Sequence, residues 1–277
     1  MWFALPTTSA RLSVLPLLSV AAEVSSLRVS PMVLANDYRH PVAVARDAAT
    51  LDILSEGRFE LGIGTGWIEQ QYDSAGLTYN DPKTRVARFK EAIAVIKGCW
   101  GGEPFTFSGD HYHLDSVTSP TPYQRPHPPL LIAGSGRSML TFAGTAVDII
   151  GISPLRPVAS SFDHFGPSLA TSGQRIGQQL EWIKEGAGAR FDEIELSVMA
   201  HHLEITDDPE GRATDLAAAW GSTVADVLGS PHVFLGSVGR SIETLEERRE
   251  NFGISYVVFL GADLELVEPI VSHLARA

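Results

Sequence analysis

The chain has 277 residues, 44% of them hydrophobic, with 21 basic and 33 acidic side chains and a formal net charge of −12. That length supports one large domain with a sizeable core, and the acidic balance disfavours nucleic acid or an anionic membrane surface as a partner. Cys99 is the single cysteine, which excludes an internal disulfide, and without clustered histidines and thiols no metal site is expected; the composition fits the cytoplasm.

Residues 1–24 contain an apolar run but no basic leader, and Pro6 and Pro16 break it, so the segment reads as part of the fold with a helix over 15–24. Residues 27–34 are apolar, rich in β-branched side chains and closed by Asn36 and Asp37, which predicts a buried parallel strand. Pro41 suits a first helical position, and Val42, Val44, Ala45, Ala48, Ala49, Leu51, Asp52 and Leu54 mark the apolar stripe of a helix that Gly57 ends. Residues 59–63 predict the next buried strand, which runs into Gly64, Thr65 and Gly66. In parallel α/β folds ligands sit at the C-terminal ends of strands, so segments 36–40 and 64–67 should flank one site.

Residues 81–100 predict a helix with Val86, Phe89, Ile93 and Ile96 inward and Arg85, Arg88, Lys90 and Glu91 on its polar side. Alternation about Ser108–Gly109 predicts a hairpin, and residues 121–129 a proline-stiffened connector. Residues 130–133 predict a buried strand that feeds a Gly134–Ser135–Gly136 turn and a helix through Met139, Leu140 and Phe142. Beyond it the pattern gives a strand over 147–152, a long loop or lid over 153–173, a helix over 174–187 and a strand over 194–205. Helices over 212–228 and 242–251, the latter capped by Gly253, precede a last strand over 256–260 and a closing helix over 264–274. This is the alternation of repeated βα units, with the hairpin and long loops as insertions.

The segment LLIAGSGRSML is a strand, a glycine turn and a helix start, an arrangement whose backbone N–H groups bind phosphate, with Arg137 and Ser138 adding a charge and a hydroxyl. On the motif alone an ordinary tight turn is an equal reading. The glycines around Thr65 either admit a ligand or only relieve crowding. His40, before Pro41, reads as a helix cap, while His111, His113, His127 and His164 lie on insertions as general-acid candidates with no evident partner. His201 and His202 alternate faces of a strand, so they cannot share a metal, and residues 246–250 read as a solvated, ion-paired helix face.

The segments YRHP, ATLD and LSEGRFELGIGTGW together resemble the luciferase-like oxidoreductases, particularly the branch that uses the deazaflavin coenzyme F420. The C-terminal HVFLGSV and LEERRENFGISYVVF extend the likeness over essentially the whole chain. The resemblance implies a TIM-barrel-like α/β fold with insertions, one domain over 1–277, and hydride transfer between F420 and a small-molecule substrate. It implies a cis peptide at Met32–Val33 supporting the cofactor face, and contacts of Thr65, Gly66 and Gln70 with the ring system and ribityl chain. It places Gly134, Ser135, Gly136, Arg137, Ser138 and Met139 at the cofactor phosphate. Family members open with a strand, a helix and a second strand, of which residues 1–5 match only the second, so the barrel is expected to lack its first strand–helix unit.

In the sugar-phosphate dehydrogenases of the family a carboxylate follows the Thr–Gly pair where Trp67 stands here, and Thr7–Thr8 replace an Asp–His pair. Their substrate is therefore not carried over, no catalytic acid is assigned, and Trp67 reads equally as a pocket wall or as core. A homodimer is implied, without nucleic acid or membrane. Two alternatives accompany this reading: an FMN-dependent monooxygenase that activates oxygen, and a non-catalytic barrel that binds a cofactor or partner chain.

Overall fold

The structure, a computed structural model, describes residues 2–6, 14–154, 166–259 and 264–274, so Thr7, Thr8 and His164 lie outside the described residues. The chain forms two compact units: Met1–Ala133 with Ala146–Asp148, and Gly134–Thr145 with Ile149–Ala277.

In the first unit β1 (Trp2–Pro6) runs parallel to β2 (Arg28–Met32), with α1 (Val14–Val24) between them in sequence. The strand expected over 27–34 is broken at Val33, where the Met32–Val33 peptide is cis, and resumes as β3 (Leu34–Ala35). β3 pairs with β4 (Leu61–Gly64), and β4 pairs with β7 (Leu130–Gly134), all parallel. Helices α2 (Pro41–Leu54) and α4 (Pro82–Cys99) pack together; α3 (Glu69–Ala75), not anticipated from the sequence, lies between them in the chain. The hairpin forms as expected from β5 (Phe105–Ser108) and β6 (His113–Val117). Its turn is held by Glu91, whose carboxylate accepts the N–H groups of Asp110, His111 and Tyr112 at 2.9, 2.9 and 3.2 Å.

Two residues of the most distinctive sequence segments are structural ties. Arg58 donates to the carbonyls of Ala22, in the last turn of α1, and of Ser25 and Leu27, in the segment that follows it, at 2.8–2.9 Å. Buried Asp52 accepts the Gln124 backbone N–H at 2.8 Å and side-chain amide at 2.7 Å, which pins the connector to α2. His127, expected to lack partners, lies tilted against the Trp100 ring, 5.7 Å between centroids, and has Nδ1 3.9 Å from Asp148, so it is a packing residue of that connector.

In the second unit the parallel order is β8 (Ile149–Ile152), β9 (Glu195–Ala200), β12 (Ile254–Phe259). The single strand expected over 194–205 is two. The N–H groups of His201 and His202 both reach the His232 carbonyl, at 3.0 and 3.2 Å, and β10 (His202–Ile205) leaves to pair with β11 (Val233–Gly236), a buried strand that was not anticipated. Helix α5 (Arg137–Ala146) crosses α7 (Ile176–Ala187) at backbone contact: a Cβ on Gly186 would lie 1.9 Å from the Thr141 carbonyl oxygen. Of the expected loop over 153–173, residues 166 onward are instead α6 (Gly166–Ala170) and a 3-10 turn, and residues 155–165 lie outside the described residues.

The helix expected over 212–228 is also two, α8 (Pro209–Trp220) and α9 (Val224–Leu228), because Gly221 adopts the left-handed conformation and Thr223 starts a new helix with its own capping box. α10 (Val238–Phe252) ends at Gly253 as expected, and α11 (Leu264–Leu274) closes the described chain. The charged run of α10 is not uniformly solvated. Arg248 is buried, donating to the carbonyls of Ser230, Pro231 and Val233 at 2.8–3.0 Å with its guanidinium 3.9 Å above the Phe234 ring. The backbone before β11 thus has its buried oxygens satisfied by a side chain.

Candidate functional site

At the C-terminal ends of β3 and β4 the first unit gathers the segments that the sequence assigned to one site. Asn36, 1% exposed, donates Nδ2 to Asp37 Oδ1 at 3.1 Å and to the Tyr112 hydroxyl at 3.4 Å. Asp37 is gripped by Arg88, with Nε 2.9 Å from Oδ1 and Nη2 2.6 Å from Oδ2, a two-point geometry only a guanidinium offers. Tyr72, on α3 and fully buried, lies 3.1 Å from Asp37 Oδ2 and 3.0 Å from the Thr65 carbonyl. The Tyr38 and Tyr79 rings meet it edge-on, at 5.4 and 5.0 Å between centroids. The next carbonyl, of Gly66, accepts Arg85 Nη1 at 2.5 Å and the Thr65 hydroxyl at 3.2 Å. Arg85, expected on the solvated side of its helix, is instead buried.

This is a polar layer beneath the rim, built from donors matched to carbonyls. Burial, then the charge and hydrogen bond of Asp37, push the Tyr72 phenol up, so it stays protonated and acts as a donor. Burial raises Tyr112 as well. For Arg88 desolvation opposes the charge, but the hydrogen bond and charge of Asp37 outweigh it and the net direction is up.

The sequence-assigned residues of this unit fall as follows. Met32–Val33 has the cis peptide at the β2–β3 break; Thr65 and Gly66 are half-buried on the loop after β4; Gln70 is exposed on the first turn of α3. Gly62 and Gly66 have packing reasons of their own, since a Cβ at Gly62 would lie 2.1 Å from the Pro31 carbonyl oxygen and one at Gly66 2.1 Å from the Tyr72 hydroxyl. Gly66 also has φ +72°, where a side chain is strained. His40 caps α2, its Nδ1 accepting the Val42 N–H at 3.3 Å, as expected. Trp67 is half-buried and its carbonyl accepts the Tyr79 hydroxyl at 3.1 Å.

The second unit has the glycine turn that opens α5. Gly134, Ser135 and Met139 are half-buried, and Gly136, Arg137 and Ser138 are exposed. The Gly136 carbonyl accepts the first helical bonds, from Met139 and Leu140 at 3.2 and 3.0 Å, and a Cβ at Gly136 would meet nothing within 4 Å. Gln179 braces the turn from α7, donating to the carbonyls of Ser135 and Ser153 at 3.2 and 3.0 Å. Arg137, expected to offer a charge to phosphate, is ion-paired with Glu185, its Nη2 lying 2.9 and 3.0 Å from the two carboxylate oxygens.

Asn36 and Asp37 lie in the segment 36–40 that the sequence set beside the site, without a role for either, and Tyr72, Arg85 and Arg88 were not among the sequence-assigned site residues. The available signal was two arginines spaced i, i+3 on α4 and an Asn–Asp pair at a strand end; which side chain met which required the fold. Among the described residues no group of three or more His, Cys, Asp or Glu side chains could hold a metal ion, and no helix is long and apolar enough to cross a membrane.

The sequence profile described as luciferase-like monooxygenase matches residues 2–252. The chain is 36% identical over 132 residues to an F420-dependent glucose-6-phosphate dehydrogenase of Kineococcus radiotolerans, a match covering 47% of this chain and 38% of that protein. It is 26% identical over 196 residues to an FMNH2-dependent dimethylsulfone monooxygenase of Pseudomonas putida, covering 70% and 49%. The matches thus span less than half the length of these curated relatives. Among solved structures it is similar to a coenzyme F420-dependent tetrahydromethanopterin reductase from Methanopyrus kandleri, with TM-score 0.74 and 19% identity over 98% of this chain and 90% of that one. That likeness shows the fold, the expected TIM-barrel-like α/β class.

Proposed function

The chain belongs to the luciferase-like monooxygenase family, and from that premise we propose that it is an oxidoreductase moving a hydride between coenzyme F420 and a small organic substrate. The observation that supports the choice of cofactor is the higher identity to F420-dependent relatives, such as 36% and 43%, than to FMNH2-dependent ones, 26% and 30%.

The residues present fit such a group. Asn36 Oδ1 is buried with no partner among the described residues, an acceptor free to receive a donor such as the ring N–H of a flavin-like group. The α5 turn is open above Gly136 and presents the Ser138 hydroxyl at a helix N-terminus, the setting for a phosphate. In this reading the Met32–Val33 segment, Thr65, Gly66 and Gln70 contact the ring system and ribityl chain, and Gly134, Ser135, Gly136, Ser138 and Met139 hold the phosphate. Arg137 contributes its charge from within the Glu185 ion pair. When bound, F420 supplies a ring carbon that carries the hydride. The protein's part is to orient the ring and exclude water. Trp67 brings no proton, so a sugar phosphate is not assigned as substrate.

A second reading, an FMN-dependent monooxygenase, is favoured by the longer stretch, 70% of this chain, that aligns with the FMNH2-dependent relative. Titrating the protein with F420 and with FMN separately, followed by fluorescence, tests both. Tight F420 binding with no oxygen consumption by the reduced complex supports the first reading; preference for FMN with oxygen uptake replaces it by the second. The homodimer is proposed on the resemblance alone and is tested by light scattering after size exclusion.

A further inference from the structure

One hydroxyl ties together two segments that end neighbouring parallel strands. The Tyr72 hydroxyl has a single proton for two acceptors, Asp37 Oδ2 at 3.1 Å and the Thr65 carbonyl at 3.0 Å. Arg88 supplies the carboxylate with donors of its own, at 2.9 and 2.6 Å, so the Tyr72 proton is shared between Asp37 and the Thr65 carbonyl. Arg85 holds the following carbonyl, of Gly66, at 2.5 Å. Two consecutive carbonyls are therefore drawn to donors of the buried layer. A planar trans peptide sets its C=O and N–H on opposite sides, so the Gly66 N–H points away from Tyr72.

We propose that Tyr72 is a positioning residue for the cofactor site: gripped by the Asp37–Arg88 ion pair, its hydroxyl fixes the Thr65–Gly66 peptide so that the Gly66 amide is presented to the cofactor ring. The inference rests on the cofactor-binding reading above. It explains why a buried tyrosine sits where Gly66 can have no side chain, with the oxygen occupying the space a Cβ would fill.

Tyr72→Phe keeps the ring and its edge contacts and removes only the oxygen. Wild type, Tyr72→Phe and Trp100→Phe are titrated with F420 and with FMN, and the visible circular dichroism of the bound ring is recorded beside thermal unfolding. Trp100→Phe deletes another buried hydrogen bond of the unit, from the indole to the Ala45 carbonyl at 2.9 Å, and so reports loss of stability alone. The expected result is about tenfold weaker cofactor binding by Tyr72→Phe, the order of one hydrogen bond, with an altered dichroic band. Trp100→Phe lowers the unfolding temperature without either effect. Should Tyr72→Phe not fold, Asp37→Asn, which keeps the shape and loosens the arginine fork, must show the same two changes. Wild-type affinity and dichroism in Tyr72→Phe, or in Asp37→Asn where it stands in, overturn the inference and leave the cofactor reading intact. Wild type that binds neither cofactor overturns both.

Discussion

At the scale of single residues, the buried polar side chains of the second unit decide how the protein responds to acid. His232 donates Nδ1–H to the Met199 carbonyl at 2.9 Å, while its Nε2 is buried with no partner among the described residues. Burial, with smaller contributions from His201 and Arg248, pushes its pKa down to about 3 from the ordinary 6.5. The unfolded chain therefore binds a proton near neutral pH that the folded chain refuses. The stability this group gives is complete above the unfolded value and is lost as the pH falls from there toward the folded value. His232→Leu should flatten the dependence of unfolding free energy on pH between about pH 6 and 4 by up to about one proton, measured by urea unfolding. Arg248 presents the opposite case, a buried cation kept because three carbonyls need it. Arg248→Met should cost about 3 kcal/mol by leaving those oxygens without donors, with the loss visible in the same urea titrations at neutral pH.

Elements depend on contacts that sequence periodicity does not encode. The α5–α7 crossing has no room for a methyl group at Gly186, since its neighbour is the Thr141 backbone oxygen and not a movable side chain. Gly186→Ala should lower stability by about 1–3 kcal/mol despite the better helix propensity of alanine, and calorimetry would show it. At the other end of α5, Ser138→Asp separates folding from binding. An acidic side chain in the first helical turn favours the helix macrodipole, so the unfolding temperature should hold or rise. The same charge repels a phosphate, and F420 or FMN affinity should fall about tenfold or more if the turn holds one, as fluorescence titration would report. Both splits in the expected elements have local causes. Gly221 turns left-handed between α8 and α9, and the double hydrogen bond to the His232 carbonyl diverts β10 from the line of β9. β11 was missed because four apolar residues with no helical partner pattern are too short to read on their own.

Over the whole molecule, a net charge of −12 places the isoelectric point near 5.1, so solubility should be least around that pH, where His232 is also weakening the fold; turbidity against pH measures it. The βα alternation, the hairpin, the α5 turn, the caps at His40 and Gly253 and the family itself were legible in the sequence. Each depends on local periodicity, on a residue with special backbone freedom or on a contiguous segment, and these are written along the chain. How Asn36 and Asp37 pair with Tyr72, Arg85 and Arg88 in a buried layer was not legible, nor was the inward turn of Arg248. Arginine on a helix reads as solvated until the carbonyls and carboxylate it serves are placed beside it, and apart from the Asn80 carbonyl near Arg85 those come from residues 15–51 positions away in sequence. The sequence by itself determined most of the longer elements and the family they belong to, because hydrophobic period and turn chemistry act over a few residues. Only the tertiary structure decided which polar groups meet, because hydrogen bonding in a buried layer depends on distances that strand pairing and helix packing create.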